Sequence, residues 1–373
     1  MKQLCASFAT VGLLLAAEPA SAEIKLGVIA GMSGAGTSYG IGIHQGAEMA
    51  IKEINEADGI GGEKIKLVIV DDASNPAQSV TAMQRLISEG VDVIVGGWGS
   101  SQVLANMEVS ERAGIPYVVV GATNPRITSD KNKWTFRVIQ TDSLMAEQIA
   151  QSATGPMKMK RIAVMSDSND YGVGNRDIFI AALKKMGMDP AEVQSYQSSD
   201  KDFTSQLARI RAANPDGIAI FGTIPAAPAI MNQARDFGIN ARFIGTGGLA
   251  NETLISLAPK ASEGTVLTTY FDEDVDADGK AWAERYVKEF SGGSQTPRPV
   301  LAAWEYRAIK FIVAPCFAKN GVDKVKVREC IAAFKGKLFA LPGETHFDKT
   351  GQLEQQPVLV EVRNGAFRGF KAN

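Results

Sequence analysis

Apolar runs and helix-patterned stretches alternate along this chain. IKLGVIA (24–30) is apolar almost throughout and predicts a buried strand. HQGAEMAIKEINEA (44–57) follows as a helix, with Ile43, Ala47, Ile51 and Ile54 on one face. IKLVIVDD (65–72) is the next strand. NPAQSVTAMQRLISEG (75–90) is the next helix, opened by Pro76 and closed by Gly90. VDVIVGG and IPYVVVGA read as strand ends, with SQVLANMEVSERAG as the helix between them. Strands that are apolar throughout, joined by helices, imply a parallel sheet covered on both faces.

The alternation restarts further on. KRIAVMSD (160–167) and DGIAIFG (216–222) read as strands, and NRDIFIAALKKMG (175–187) as a helix. AEVQSYQ is a short strand, FTSQLARIRAANP and PAIMNQARDFG are helices, and ARFIGTGG is a strand end. The fold class is therefore α/β, with two doubly wound, Rossmann-like units at about 23–141 and 142–268. From Asp276 the pattern turns mainly helical, then closes with the strand-like PVLVEV and GAFRGF.

Ligands of such sheets bind beyond the carboxyl ends of the strands. The loops there are GMSGAGTSYG, VDDASNP, GGWGSS, GATNP, DSNDYGVG, GTIPAA and GTGGLAN. They are rich in Gly, Ser, Thr and Asn and carry no His, Cys, Lys or Arg. That composition suits hydrogen-bonding a ligand rather than transforming it.

Composition narrows the field. The 373 residues are 45% apolar, enough for two separate cores. The net charge of −2 offers no basic surface for nucleic acid or an anionic membrane. His44 and His346 are the two histidines and lie far apart in sequence, so histidine-based metal or acid–base chemistry is not expected.

The first 22 residues read as a secretory signal peptide. Lys2 precedes the apolar LCASFATVGLLLAA, and Ala20 and Ala22 form an A-x-A site before Glu23. Cys5 lies too early for a lipoprotein signal, so a soluble, exported, periplasmic protein cut after Ala22 is expected. Export makes a Cys316–Cys330 disulfide possible and expected; the alternative is two unpaired thiols on neighbouring helices.

Motifs of catalysis and cofactor binding fit poorly. A P-loop needs Gly-Lys followed by Ser or Thr, but Gly279–Lys280 and Gly336–Lys337 precede Ala and Leu. Neither GWGSS nor GMSGAG is a nucleophile elbow. GTGGLA (245–250) matches the dinucleotide fingerprint but has no acidic residue ending a following strand, and reads better as a glycine turn. DVDADGKAWAER (274–285) spaces Asp274, Asp276 and Asp278 like a calcium loop, yet puts Arg285 where the bidentate glutamate belongs. No metal, cofactor or catalytic residue is expected.

VGGWGSSQ (95–102) is the most informative stretch: a glycine turn after a buried strand, then two serines at a helix start. Such a start holds an anion. IKLGVIAGMSG, YG…GAEMAIKEIN, VDDASNPAQSV, this serine loop, AGIPYVVVGATNP, DYGVG and QARDFG follow in order. Together they resemble the periplasmic leucine/isoleucine/valine-type solute-binding proteins of ABC importers, across nearly all of the chain after the signal peptide.

The resemblance implies two lobes joined by three crossovers and closing on ligand, a type I periplasmic binding fold. It places lobe I at 23–141 plus 269–341 and lobe II at 142–268 plus 342–373. It implies a monomer that delivers a small carboxylate to an inner-membrane permease. It puts the ligand carboxylate on Ser100, Ala122 and Thr123. Tyr39, Trp98, Tyr171 and Phe221 lie where aromatic rings would cover an apolar ligand tail.

One position departs from the family pattern. Where amino-acid binders of the family carry an acid for the ligand ammonium, this chain has Gly247. Asp142, Asp170 and Asp272 are possible substitutes. An apolar, branched-chain-type amino acid is the first expectation; an aromatic carboxylate or an amide is the alternative. An exported enzyme with an unrecognised site is the reading from another class. A ligand-responsive repressor would need a DNA-binding helix-turn-helix where the signal peptide lies.

Overall fold

The computed structural model describes residues 23–129, 132–224, 226–269, 276–290 and 300–371. The expected signal peptide, Asp272 and Asp274 lie outside them.

The first sheet has five parallel strands in the order β2-β1-β3-β4-β5. They are β1 (Ile24–Ala30), β2 (Ile65–Asp71), β3 (Val93–Gly96), β4 (Tyr117–Val119) and β5 (Thr135–Arg137). Helix α1 (Thr37–Glu56) packs on one face, and α2 (Pro76–Ser88) and α3 (Ser100–Ala113) on the other. The strands read as continuous apolar runs because helices cover both faces.

The second sheet has seven strands in the order β14-β13-β10-β9-β8-β6-β7, with β13 (Val358–Arg363) and β14 (Ala366–Gly369) antiparallel at one edge. Its parallel members are β6 (Ile162–Asp167), β7 (Glu192–Tyr196), β8 (Gly217–Phe221), β9 (Arg242–Gly245) and β10 (Val266–Thr269). One face is covered by α4 (Asp142–Thr154) and α5 (Asp170–Lys185). The other is covered by α6 (Thr204–Ala213), α7 (Ala226–Asp236) and α8 (Glu252–Leu257).

The late helices return to the first lobe. They are α9 (Ala277–Phe290), α10 (Val300–Arg307), α11 (Ala314–Asn320) and α12 (Lys324–Ala332). Trp282, Trp304, Ile309 and Phe317 share one core with α1 and the first sheet. Ala308–Val313 is a π-helical stretch between α10 and α11, and two residues on stands Pro315, which can donate no rung to the ladder. Cys316 and Cys330 form a disulfide that ties α11 to α12.

A short hairpin, β11 (Lys335–Lys337) with β12 (Glu344–His346), follows. Phe347 and Leu353 still belong to the first core. Arg137 Nε donates to Gln352 Oε1 at 2.6 Å, and Gly351 O accepts from Arg137 N at 2.8 Å. The segment after 341 is thus held at the edge of β5. The chain returns to the second sheet only at β13 (Val358–Arg363) and β14 (Ala366–Gly369), so the final crossing falls after Leu353, later than the expected 341/342 boundary.

Candidate functional site

The turn after β3 is built on glycine. Gly96 and Gly97 both have positive φ, and a Cβ on Gly96 would lie 2.4 Å from Ile29 O. The chain then enters α3 through Gly99, and no side chain caps that helix. Ser100 and Ser101 are its first helical residues, not its caps.

Their hydroxyls are turned elsewhere. Ser100 Oγ accepts from Asn124 N at 3.2 Å, which leaves its own proton to donate. Ser101 donates to Asp170 Oδ2 at 2.8 Å across the cleft, and accepts from Asp170 N at 3.2 Å. The opening N–H groups of α3 have no intrahelical acceptors and carry the positive end of the helix dipole.

Aromatic rings form the next part of the wall. Tyr39 and Trp98 stack with centroids 5.1 Å apart and planes within 5°. The indole lies where side chains on Gly31 and Gly36 would collide with it, so those glycines make its room. Tyr39 Oη donates to Gly248 O at 2.7 Å and accepts from Ile224 N at 3.2 Å. Tyr171 Oη accepts from Gly248 N at 2.8 Å and shares a 2.9 Å hydrogen bond with Thr246 Oγ1. Both tyrosines thus meet the Thr246–Gly248 turn of lobe II.

Between the lobes is a cavity of about 240 Å³. Tyr39, Trp98, Ser100, Tyr171 and Gly247 line it, as the sequence predicts. Three other predicted residues do not. Phe221, at the end of β8, is fully buried in the lobe II core against Phe179, with centroids 5.1 Å apart. Ala122 is packed into the core of the first lobe. Thr123 is fully buried, with its side chain beside Asp142. Phe221, Ala122 and Thr123 thus sit behind the wall of this cavity and not in it.

Further residues line the cavity. Ser38 and Asn251 meet across the cleft at 3.4 Å, and Ser74 and Thr223 come from loops already recognised as facing it. Tyr286 and Leu301 come from the amphipathic α9 and from α10, buried throughout 301–307, whose patterns carry no mark of a binding site.

None of the described residues lining the cavity is Asp, Glu, His, Lys or Arg. Asp170 does not line it; its second oxygen pairs with Arg126 at 3.3 Å. Asp142 is closed off from it, and burial pushes its carboxyl up to about 6. Elsewhere, Asp276 accepts from Gly279 N and Ala340 N, both at 2.6 Å, so it holds the start of α9 in place. Among the described residues, no three His, Cys, Asp or Glu side chains gather as a metal site.

Two α/β lobes with a cavity between them are the architecture of a known family. The periplasmic binding protein family matches residues 23–366. The chain belongs to that family. The Leu/Ile/Val-binding protein BraC3 of Rhizobium johnstonii is 32% identical to this binding protein, over 93% of this chain and 94% of the relative. The leucine-, isoleucine-, valine-, threonine- and alanine-binding protein of Pseudomonas aeruginosa is 29% identical, over 90% and 88%. The crystal structure of the leucine-binding protein LivK of Thermotoga maritima superposes with a TM-score of 0.85 at 27% identity, covering 93% of this chain and 98% of that one. The type I periplasmic binding fold is that of this binding protein. No helix among its described residues is long and apolar enough to cross a membrane.

Proposed function

We propose that this binding protein is the extracytoplasmic receptor of an ABC importer. It captures a small apolar carboxylate between its lobes, closes on it and hands it to an inner-membrane permease. The signal peptide is removed after Ala22, and the mature chain acts as a periplasmic monomer without catalysis. The relatives' names put leucine, isoleucine and valine first among the ligands to test.

The observation that carries this reading is the uncapped start of α3 opening on the interlobe cavity, beside Ser100 and the Tyr39–Trp98 stack. Free N–H groups and a hydroxyl hold a carboxylate without a cationic side chain. The rings cover an apolar remainder. Hydroxyls, amides and rings around a space without an acid–base pair suit holding over reacting.

Calorimetry on the ligand-stripped mature chain tests the reading. Branched-chain amino acids, aromatic acids and their amides form the panel. A carboxylate should bind, and Ser100→Ala should weaken it about tenfold or more, since a hydrogen bond to a charged group contributes about 1.5–3 kcal/mol. A panel without a binder, or a ligand indifferent to Ser100, would sink it.

A further inference from the structure

Within that reading, on which this inference rests, the wall of the cavity distinguishes ligands by their amines. We infer that the ligand is an apolar carboxylate without an ammonium group, best an aromatic one.

An ammonium brings three donors and a charge into the cavity, and needs acceptors or a carboxylate opposite. The described lining residues supply no Asp or Glu, Asp272 lying outside the described residues. Four oxygens on the lobe II wall each already accept a hydrogen bond. Gly248 O accepts from Tyr39 Oη, and Gly247 O accepts from Ala250 N at 3.0 Å. Asn251 Oδ1 accepts from Thr253 N at 2.9 Å, and Asn169 Oδ1 from Gly172 N at 2.9 Å.

The described carboxylates around the cleft are committed too. Asp170 takes the Ser101 hydroxyl and faces Arg126. Asp167 takes Ser198 Oγ, and Asp71 takes Ser33 Oγ at 2.6 Å with Met32 N. Asp72 accepts from Ser74 N at 2.8 Å and Ser79 Oγ at 3.3 Å. On the opposite side, the first backbone N–H groups of α3 and the Ser100 hydroxyl offer donors that match a carboxylate. The stacked Tyr39 and Trp98 rings lie parallel within 5° and both line the cavity, and aromatic groups pair with such rings by offset stacking or edge to face.

Matched pairs that differ by the amine alone test the inference: L-leucine against 4-methylpentanoate, and L-phenylalanine against 3-phenylpropanoate, with benzoate added. Each is titrated by calorimetry into the ligand-stripped mature chain. The acid without an amine should bind on the order of a hundredfold or more tighter than its amino acid, because an uncompensated buried ammonium is strongly unfavourable. Benzoate should bind as well. Equal or tighter binding of the amino acids overturns the inference and leaves the receptor reading standing. Failure of every acid, with or without an amine, overturns both.

Discussion

The hydroxyl of Tyr39 in lobe I donates to the carbonyl of Gly248 in lobe II at 2.7 Å. The same oxygen accepts from Ile224 N at 3.2 Å, also in lobe II. Burial pushes the phenol above its ordinary range, so it stays a donor at any physiological pH. One hydroxyl therefore joins the lobes twice, while its ring stacks on Trp98 in the cavity wall.

Tyr39→Phe keeps the stacking ring and removes both links. Each neutral hydrogen bond contributes about 0.5–1.5 kcal/mol. These bonds exist only when the lobes meet, so their loss should weaken ligand binding about tenfold while leaving the melting temperature of the open, ligand-free chain nearly unchanged. Calorimetry and small-angle scattering of the variant read both effects. Wild-type affinity with full ligand-induced compaction would show that Tyr39 is not a clasp.

Much of this arrangement is legible in the sequence. The two alternations gave two sheets because apolar strands and amphipathic helices have different periods. Glycine and serine loops marked the strand ends that build the cleft. Phe221 was misplaced for a physical reason: β8, GIAIF, is buried at every residue, so no alternation tells which side chain faces a helix and which the cleft. The position of the last crossing was hidden for the opposite reason. GETHFDKTGQLEQQ is polar and aperiodic, and its place beside β5 depends on Arg137, more than 200 residues earlier, meeting Gln352. Tyr286 and Leu301 reach the cavity from helices whose patterns are explained by the core alone.

The disulfide can be tested independently of the cleft. Cys316 and Cys330 are 14 residues apart and join α11 to α12. Closing a loop of about 15 residues stabilises by about 3 kcal/mol in the chain-entropy model. The double variant Cys316→Ser, Cys330→Ser should therefore melt several degrees lower, and wild-type protein should respond likewise to reductant. Ligand affinity should not change, because neither residue lines the cavity. A reductant-insensitive melting temperature would count against a formed bond.

Asp142 predicts a pH dependence. Its carboxylate is fully buried at the start of α4, and no hydrogen bond of full geometry reaches either oxygen. Burial therefore prevails over the Thr123 and Asn175 side chains and the Arg137 charge, and raises the group from 3.8 to about 6. The folded state then binds the proton more tightly than the unfolded chain. Stability falls as pH rises from about 3.8 to about 6, and the loss is complete above that window. Asp142→Asn should remove this contribution, giving a variant more stable than wild type at pH 7 by up to about 3 kcal/mol, with the difference vanishing near pH 4. Thr123→Val should strengthen the wild-type dependence by removing a neighbour that favours the charged form. Denaturant titrations of all three proteins from pH 4 to pH 7 decide it; parallel curves for wild type and Asp142→Asn would rule it out.

Gly247 allows the ligand class to be reversed. It opens the Gly247–Leu249 turn of lobe II, a 3-10 conformation open to any residue, and it lines the cavity. Gly247→Glu would place a negative charge in a wall that has none among its described lining residues. An ammonium would gain a counter-charge there, while a ligand bearing only a carboxylate would meet a like charge. Leucine should gain at least about tenfold in affinity and benzoate should lose at least as much. Gly247→Gln serves as the control for size, since it adds the same bulk without the charge. It should weaken benzoate less than the charged variant does and should give leucine no comparable gain. If the two variants, both folded by circular dichroism, shift leucine and benzoate identically, the wall at Gly247 does not read ligand charge.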